Sequence, residues 1–245
     1  MPPPFAAVYF DCDSTLSSIE GVDELLQFAE SKLRAEIAEL TRKAMDGLLP
    51  LAEVYETRLR LLAPRCDQLD RIGELYVEHL VLHAREVVRA LQHLGKHVGI
   101  VSGGLLVAVQ ALARHLGIPL ANVHAVPLVF DSHGAYVDFD RTTPLWRNGG
   151  KVEMVQRLPK GHRPLAFVGD AVTDLETQGH VDLFVGFGGV VTRALVAAKA
   201  QAFVAGKSLA PVLAHVLTDE ERARLAGDGA FRPLLAAAGV EDGRT

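Results

Sequence analysis

The sequence predicts an α/β protein: a doubly wound, mostly parallel sheet with an inserted α-helical cap. Two observations carry this. Short, near-continuous apolar runs that end in acid or glycine alternate with amphipathic segments, as strands buried on both faces alternate with crossover helices. That rhythm is broken once, over residues 17–82, where only helical periodicity appears. The catalytic α/β core is therefore expected over 1–16 and 83–245, and the helical cap over 17–82.

The first strand is AAVYFDCD (6–13), short, β-branched and aromatic, closing on two carboxylates. VDELLQFAESKLRAEIAELTRKAMDG, LAEVYETRLRLL and DQLDRIGELYVEHLVL then read as three or more amphipathic helices with no strand among them. They would sit over the carboxyl ends of the strands, where open α/β sheets bind ligands. EVVRALQHLG (86–95) returns to the alternation as a helix, and HVGIVSGG (97–104) is a strand ending in Ser-Gly-Gly. LLVAVQALARHLG (105–117) is a helix whose final Gly suits a C-cap. NVHAVPLVF (122–130) is a further strand candidate. FDSHGAYVDF (130–139) alternates around His133-Gly134 as a β-hairpin does. PLAFVGD (164–170), VDLFVGF (181–187) and QAFVA (201–205) complete the strands, and the closing VEDGRT reads as a frayed polar end.

Composition sets outer bounds. With 245 residues, 49% hydrophobic and 22% charged, the chain has one to two domains and an ordinary globular balance. Such a length buries roughly 70–75% of the unfolded surface, so no disulfide or structural metal is needed. Lys and Arg number 25 against 30 Asp and Glu, a net charge of −5 with no long basic run, so neither nucleic acid nor an anionic membrane is an expected partner. Two cysteines, Cys12 and Cys66, with no CxxC exclude a disulfide framework. MPPPFAAVYFDCD carries no basic leader with an apolar segment, and no apolar run reaches the ~18 residues of a membrane span. A cytoplasmic location is expected.

Four carboxylates stand out: Asp11, Asp13, Asp170 and Asp174. A carboxylate at a buried strand end loses hydration, so a strand ending in Asp-Cys-Asp needs compensation. Two strands remote in sequence that both end in Asp suggest a hard cation on oxygen ligands, and a few carboxylates plus water is the set Mg²⁺ favours. The plainer alternative is that Asp13 and Asp170 N-cap the helices that follow. Ser102-Gly103-Gly104 at a strand-to-helix turn can close backbone N–H groups on an anion. Lys151 follows two glycines at the start of another helix, where its ammonium can reach a phosphate or simply meet water.

DCDST (11–15), SGG (102–104), Lys151 and GDAVTD (169–174) together resemble the four motifs of the haloacid dehalogenase-like superfamily, with its Rossmann-like core. Within it the chain is similar to the phosphoserine phosphatases, over almost its whole length. The resemblance implies a Mg²⁺-dependent phosphomonoesterase that hydrolyses O-phosphoserine through an aspartyl-phosphate, in serine biosynthesis. It implies Asp11 as nucleophile and Asp13 as general acid and base. Asp11, the Asp13 backbone carbonyl and Asp170 would hold the metal, and Ser102, Gly103 and Lys151 the phosphoryl oxygens, with Thr15 and Asp174 supporting. Glu20 would bind the substrate ammonium and Arg58 its carboxylate, with Met45, Gly104 and Thr173 also in contact. The bland readings are a first-turn acid for Glu20 and a solvated helical arginine for Arg58.

Two positions depart from the family pattern. Ala171 stands where a Gly is usual, which matters only if the turn demands a positive φ. Asp46 stands where Gly is common beside the phosphate, and an inward carboxylate there would point to another small phosphorylated ester. A slowly turning-over phosphoryl acceptor is the reading from a different class, and the acid-base group Asp13 argues against it. Cys12, between two carboxylates, is expected to be a strand-core thiol, and Trp146 a packing residue. The i,i+4 pairs His79/His83 and His93/His97 lack a further ligand, and GFGGVVT is not a dinucleotide loop.

Overall fold

The computed structural model describes residues 4–45 and 49–239. The elements in chain order are β1 (Ala7–Phe10), α1 (Gly21–Glu24), α2 (Ser31–Met45), α3 (Leu51–Leu62), α4 (Cys66–Glu78), α5 (Ala84–His93), β2 (His97–Leu105) and α6 (Leu106–Leu116). There follow β3 (Val123–Val126), β4 (Leu128–Phe130), β5 (Tyr136–Phe139), α7 (Gly150–Arg157), β6 (Leu165–Gly169), α8 (Val172–Leu175), β7 (Leu183–Phe187), α9 (Ala194–Lys199) and β8 (Ala202–Val204). Three short helices close the described chain: α10 (Leu213–Val216), α11 (Asp219–Gly227) and α12 (Arg232–Ala237).

Six strands form one sheet in the order β3-β2-β1-β6-β7-β8, and every pairing in it is parallel. β1 and β6 are buried along their whole length, which is why AVYF and LAFVG carry no charged side chain, and the one hydroxyl among them, Tyr9 Oη, is bonded to His162 at 3.0 Å. The chain winds outward from β1 to one edge and then from β6 to the other. The β1/β6 seam is thus the switch point at whose carboxyl end doubly wound sheets hold ligands.

The predicted strand NVHAVPLVF divides at Pro127: β3 stays in the sheet, while β4 leaves it to pair antiparallel with β5. The hairpin tip turns at Gly134, φ 76°. α6 ends at Gly117, φ 72°, in the left-handed C-cap that its glycine foretold.

Among the described residues between β1 and β2 every named element is a helix. The two ends of this segment meet, since Ser17 bridges Leu80 and the Val81 N–H donates to the Leu16 carbonyl at 3.0 Å. α2 and α3 pack on one another, whereas α4 lies along the core helix α6. There Gly73 makes close approach possible, because a Cβ on it would sit 2.6 Å from Ala111 Cβ. Among the described residues no helix is long and apolar enough to cross a membrane.

Candidate active site

β1 and β6 deliver Asp11 and Asp170 side by side. The Asp11 N–H extends the β1–β6 ladder by donating to the Val168 carbonyl at 2.9 Å, which fixes the register of the two strand ends. Asp11, Asp170 and Asp174 are all buried, with one oxygen of each within 4.8 Å of the others. Asp174 is placed by α8: its Oδ2 accepts the Ala171 N–H at 2.9 Å. Its carboxyl lies over Gly169, where a Cβ would come within 2.3 Å of Asp174 Cγ, so only glycine fits beneath it.

Lys151, on the first turn of α7, reaches into this group. Its Nζ donates to Asp174 Oδ1 at 2.5 Å and lies 2.9 Å from Asp11 Oδ1. Burial works against its charge, but Asp11 and Asp174 more than reverse that and hold it protonated. Asp170 has weaker support: Arg193 Nε donates at 3.2 Å and Thr15 Oγ1 at 3.4 Å. Desolvation, then Asp174, lifts its carboxyl to about 6. The Asp11 carboxyl is raised as well, by burial first and then by Asp174.

A metal fits these residues. Asp11 Oδ1 is buried and receives no well-directed hydrogen bond despite its ion-pair contact with Lys151. Three carboxylate oxygens, one of them without a hydrogen bond, on carboxyls raised by burial and by one another suit a hard divalent cation.

Asp13 lines the same cavity but is held by a different set of partners. Ser14 adopts φ 53°, a left-handed conformation rare for a non-glycine residue, and the chain turns sharply there. Asp13 Oδ1 accepts from Tyr76 Oη at 2.6 Å and from the Gly21 N–H at 2.7 Å. Its Oδ2 takes a long contact, 3.4 Å, from Ser102 Oγ. Burial still raises its carboxyl, against the pull of the Tyr76 and Gly21 bonds. Tyr76 comes from α4 and Gly21 from α1, so the helical segment aims this carboxylate. Ser102 Oγ also accepts the Gly104 N–H at 2.9 Å; the Ser-Gly-Gly stretch, expected as a turn, lies inside β2 where its register to β3 shifts between Val101 and Leu105, and α6 starts directly after it.

Above the carboxylates lies a cavity of about 650 Å³, a size suited to a small metabolite. The core contributes Asp11, Asp13, Gly103, Lys151, Asp170 and Thr173, and the helical segment Glu20, Asp23, Tyr55 and Arg58. Glu20 is exposed at the mouth, yet desolvation by the walls and the nearby Asp13 raise its carboxyl to about 7, against a 2.7 Å bond from Ser14 Oγ. Arg58 Nη2 donates to Asp23 Oδ1, while Arg58 Nε is buried without a partner. Tyr55 Oη donates to the Gly103 carbonyl at 3.0 Å, a direct tie from α3 to the carboxyl end of β2.

Residues 8–177 match the haloacid dehalogenase-like hydrolase family. The phosphoserine phosphatase of Rattus norvegicus is 38% identical over 200 residues, 81% of this chain and 88% of its own. That of Homo sapiens is 36% identical over the same shares. The chain belongs to the haloacid dehalogenase-like hydrolases. The fold agrees: a phosphoserine phosphohydrolase-like protein from Francisella tularensis superposes with TM-score 0.72 at 22% identity, covering 86% of this chain and 99% of that one.

In this hydrolase the residues singled out in the sequence fall into two layers. Asp11, Asp13, Glu20, Arg58, Gly103, Lys151, Asp170 and Thr173 line the cavity. Thr15, Ser102 and Asp174 are buried, with Ser102 bonded to Asp13, Thr15 to Asp170 and Asp174 to Lys151. Gly104 lies against Asp13 and Tyr76, where a Cβ would stand 3.1 Å from each. Met45 ends α2, and its side chain, like Asp46, lies outside the described residues. Ala171 has φ −96°, so its methyl meets no conformational objection.

Sequence reasoning missed Tyr76, Tyr55, Asp23, Ser14 and Arg193. The tyrosines lie on amphipathic helices, where an inward aromatic reads as core. Arg193 could have been found from its place just after the glycine-rich turn that follows β7. Trp146 packs edge-on against Phe139 at 5.3 Å and also lines the cavity. Cys12 is buried, and burial with Asp13 and Asp11 pushes its thiol up, away from reactivity.

Proposed function

We propose that the chain is a Mg²⁺-dependent phosphomonoesterase that hydrolyses O-phosphoserine to serine and inorganic phosphate. The observation that carries this is the division of labour among the carboxylates. Asp11 is underbonded at the cavity floor beside Lys151, while Asp13 is aimed separately by Tyr76 and Gly21. The identity with curated phosphoserine phosphatases supports the choice of ester.

In this reading an Asp11 carboxylate oxygen attacks phosphorus and the phosphorus–oxygen bond to the serine side chain breaks. Protonated Asp13 gives its proton to the departing alkoxide, so serine leaves neutral at that oxygen. Asp13, now a carboxylate, takes a proton from water as that water attacks the aspartyl-phosphate. Phosphate departs and Asp11 is restored. Lys151 and the Ser-Gly-Gly stretch hold the phosphoryl oxygens, and Asp174 fixes Lys151. Asp11, Asp170 and the Asp13 backbone carbonyl would hold Mg²⁺, with Asp174 close by. Bound there, the ion supplies charge neutralisation for a phosphate dianion approaching several carboxylates. Glu20 and Arg58 take the amino-acid end of the substrate. α2 and α3, packed on one another, serve as the cap over the cavity, while α4 packs on α6.

Steady-state phosphate release over phosphoserine, phosphothreonine, phosphoethanolamine and sugar phosphates tests the reading, with and without excess EDTA. Phosphoserine is expected to have the highest kcat/KM, and EDTA to abolish turnover. Undiminished rates in EDTA overturn the metal-dependent scheme, and a clear preference for a sugar phosphate overturns the substrate.

A further inference from the structure

The amino-acid end of the cavity contains an ion pair that the proposed reaction does not use. Arg58 on α3 is largely buried and donates through Nη2 to Asp23 Oδ1 on α1, whose side chain is 49% exposed. The bond is one-sided. Nε, which shares an edge of the guanidinium plane with Nη2, is buried and has no acceptor. An arginine fork built for a two-oxygen partner is thus half used. Asp23 also follows Glu20 by one helical turn, its N–H donating to the Glu20 carbonyl at 2.9 Å, so both acids stand on the same side of the cavity mouth.

Building on the proposed phosphoserine reading, we infer that Asp23 is a specificity-determining residue: a zwitterionic substrate inserts into the Arg58–Asp23 pair, its carboxylate taking Arg58 and its ammonium taking Asp23. One ion pair becomes two, and no charge is left unmatched. The orphaned Nε then gains its acceptor, and the two acids Glu20 and Asp23 share the ammonium. Glu20 alone is a weak counter-charge, since its walls hold it partly protonated near neutral pH. An ester with a carboxylate but no ammonium would capture Arg58 and leave Asp23 facing it as a like charge. An ester with an ammonium but no carboxylate would draw Asp23 away and leave a largely buried guanidinium unpaired. Either half-match is penalised, so selection for the α-amino acid comes from the pair and not from either residue singly.

The test compares kcat/KM of the unmodified enzyme, Asp23→Asn and Asp23→Glu on three probes. They are O-phosphoserine, 3-(phosphonooxy)propanoate, which lacks the ammonium, and phosphoethanolamine, which lacks the carboxylate. Asp23→Asn is expected to lose about tenfold on phosphoserine, mainly through KM, and to stay within about twofold or improve on 3-(phosphonooxy)propanoate. Asp23→Glu is expected to restore at least half of the lost preference on a logarithmic scale. An equal loss on all three probes, or a loss carried by kcat alone, makes Asp23 structural and overturns the inference. If the unmodified enzyme turns over phosphoserine and Asp23→Asn leaves the substrate ratios unchanged, only this inference falls. If the unmodified enzyme does not turn over phosphoserine, the substrate reading falls and this inference with it.

Discussion

Removing one oxygen atom from the helical segment should weaken both the fold and the chemistry. Tyr76 is fully buried, and its Oη lies 2.6 Å from Asp13 Oδ1, within the range of hydrogen bonds to a charged oxygen. Tyr76→Phe keeps the ring and its apolar packing and deletes only the donor. A hydrogen bond to a charged group contributes about 1.5–3 kcal/mol, and Asp13 keeps only the Gly21 N–H and a long Ser102 contact. A loss of about 2 kcal/mol follows, which for a chain of this size is a fall in Tm of roughly 4–8 °C. Because the same bond aims the proposed acid-base group, kcat should fall about tenfold with KM changed less than about twofold.

The control is the same substitution in an Asp13→Asn background. There the acceptor is neutral and its bond is worth about half as much, so the loss should shrink to about 1 kcal/mol. Chemical unfolding at pH 8 of the four proteins measures the coupling. A Tyr76→Phe loss below about 0.5 kcal/mol, or one of equal size in both backgrounds, would show that Tyr76 does not act through Asp13.

Three further outcomes follow from the geometry. Gly104→Ala places a methyl 3.1 Å from Asp13 Oδ2, Ser102 Oγ and Tyr76 Oη, all hydrogen-bonded and slow to yield, so turnover should drop more than about tenfold while circular dichroism stays native; full activity would disprove the crowding. Lys96 Nζ donates to the Phe5 carbonyl at 2.8 Å and to Glu221 Oε1 at 2.5 Å, so Lys96→Met leaves a largely buried acid unpaired. It should cost about 3–5 kcal/mol by urea unfolding, and Lys96→Met/Glu221→Met should recover most of it; no recovery would refute the pairing. His162, buried and bonded to Tyr9 Oη at 3.0 Å, is held below its usual 6.5 by desolvation and then by His97. Its neutral form persists in the fold while the unfolded chain protonates, so stability is unaffected above pH 6.5 and is lost as pH falls below it. His162→Gln should flatten the fall in urea midpoint between pH 6.5 and 5; an unchanged slope would clear His162 of the effect.

What was legible in the sequence was chemistry tied to strand ends. β1 and β6 are continuous apolar runs, so the carboxylates that close them must emerge at one sheet edge, and their convergence follows once the strands are neighbours. Lys151 and the Ser-Gly-Gly stretch are readable for the same reason, one in the first turn of α7 and the other in the last residues of β2 before α6. Asp13 was legible as a residue but not as an orientation. Its direction depends on the left-handed Ser14 and on Tyr76, sixty-three positions away, and no local pattern encodes either. The Arg58–Asp23 pair, thirty-five positions apart, was hidden in the same way, because helical periodicity says which face is wet and not which neighbouring helix it meets. α11 was missed despite a usable signal: Thr218 with Glu221 three residues on is a capping box, and Thr218 Oγ1 accepts the Glu221 N–H at 3.2 Å.

The crowding of Asp11, Asp170 and Asp174 has a consequence for stability that activity assays do not see. With one oxygen of each carboxylate within 4.8 Å of the others, each like-charge pair opposes folding by about 3 kcal/mol at an effective dielectric of 20. Lys151 is in direct contact with Asp11 and Asp174, whereas the cation in contact with Asp170 is the partly exposed Arg193. A divalent cation that binds the folded site and not the unfolded chain should therefore raise Tm, by about 2.7 kcal/mol of stabilisation at one hundred times its Kd. Asp170→Asn removes two of the repulsive pairs, so in EDTA this variant should be at least as stable as the unmodified chain. In Mg²⁺ it should gain less, because a ligand has gone. Thermal unfolding of both proteins in EDTA and in Mg²⁺ separates the terms. A Mg²⁺ shift of the same size in both, or none in the unmodified chain, would mean that the three carboxylates do not form the cation's seat and that their strain is relieved by some other charge.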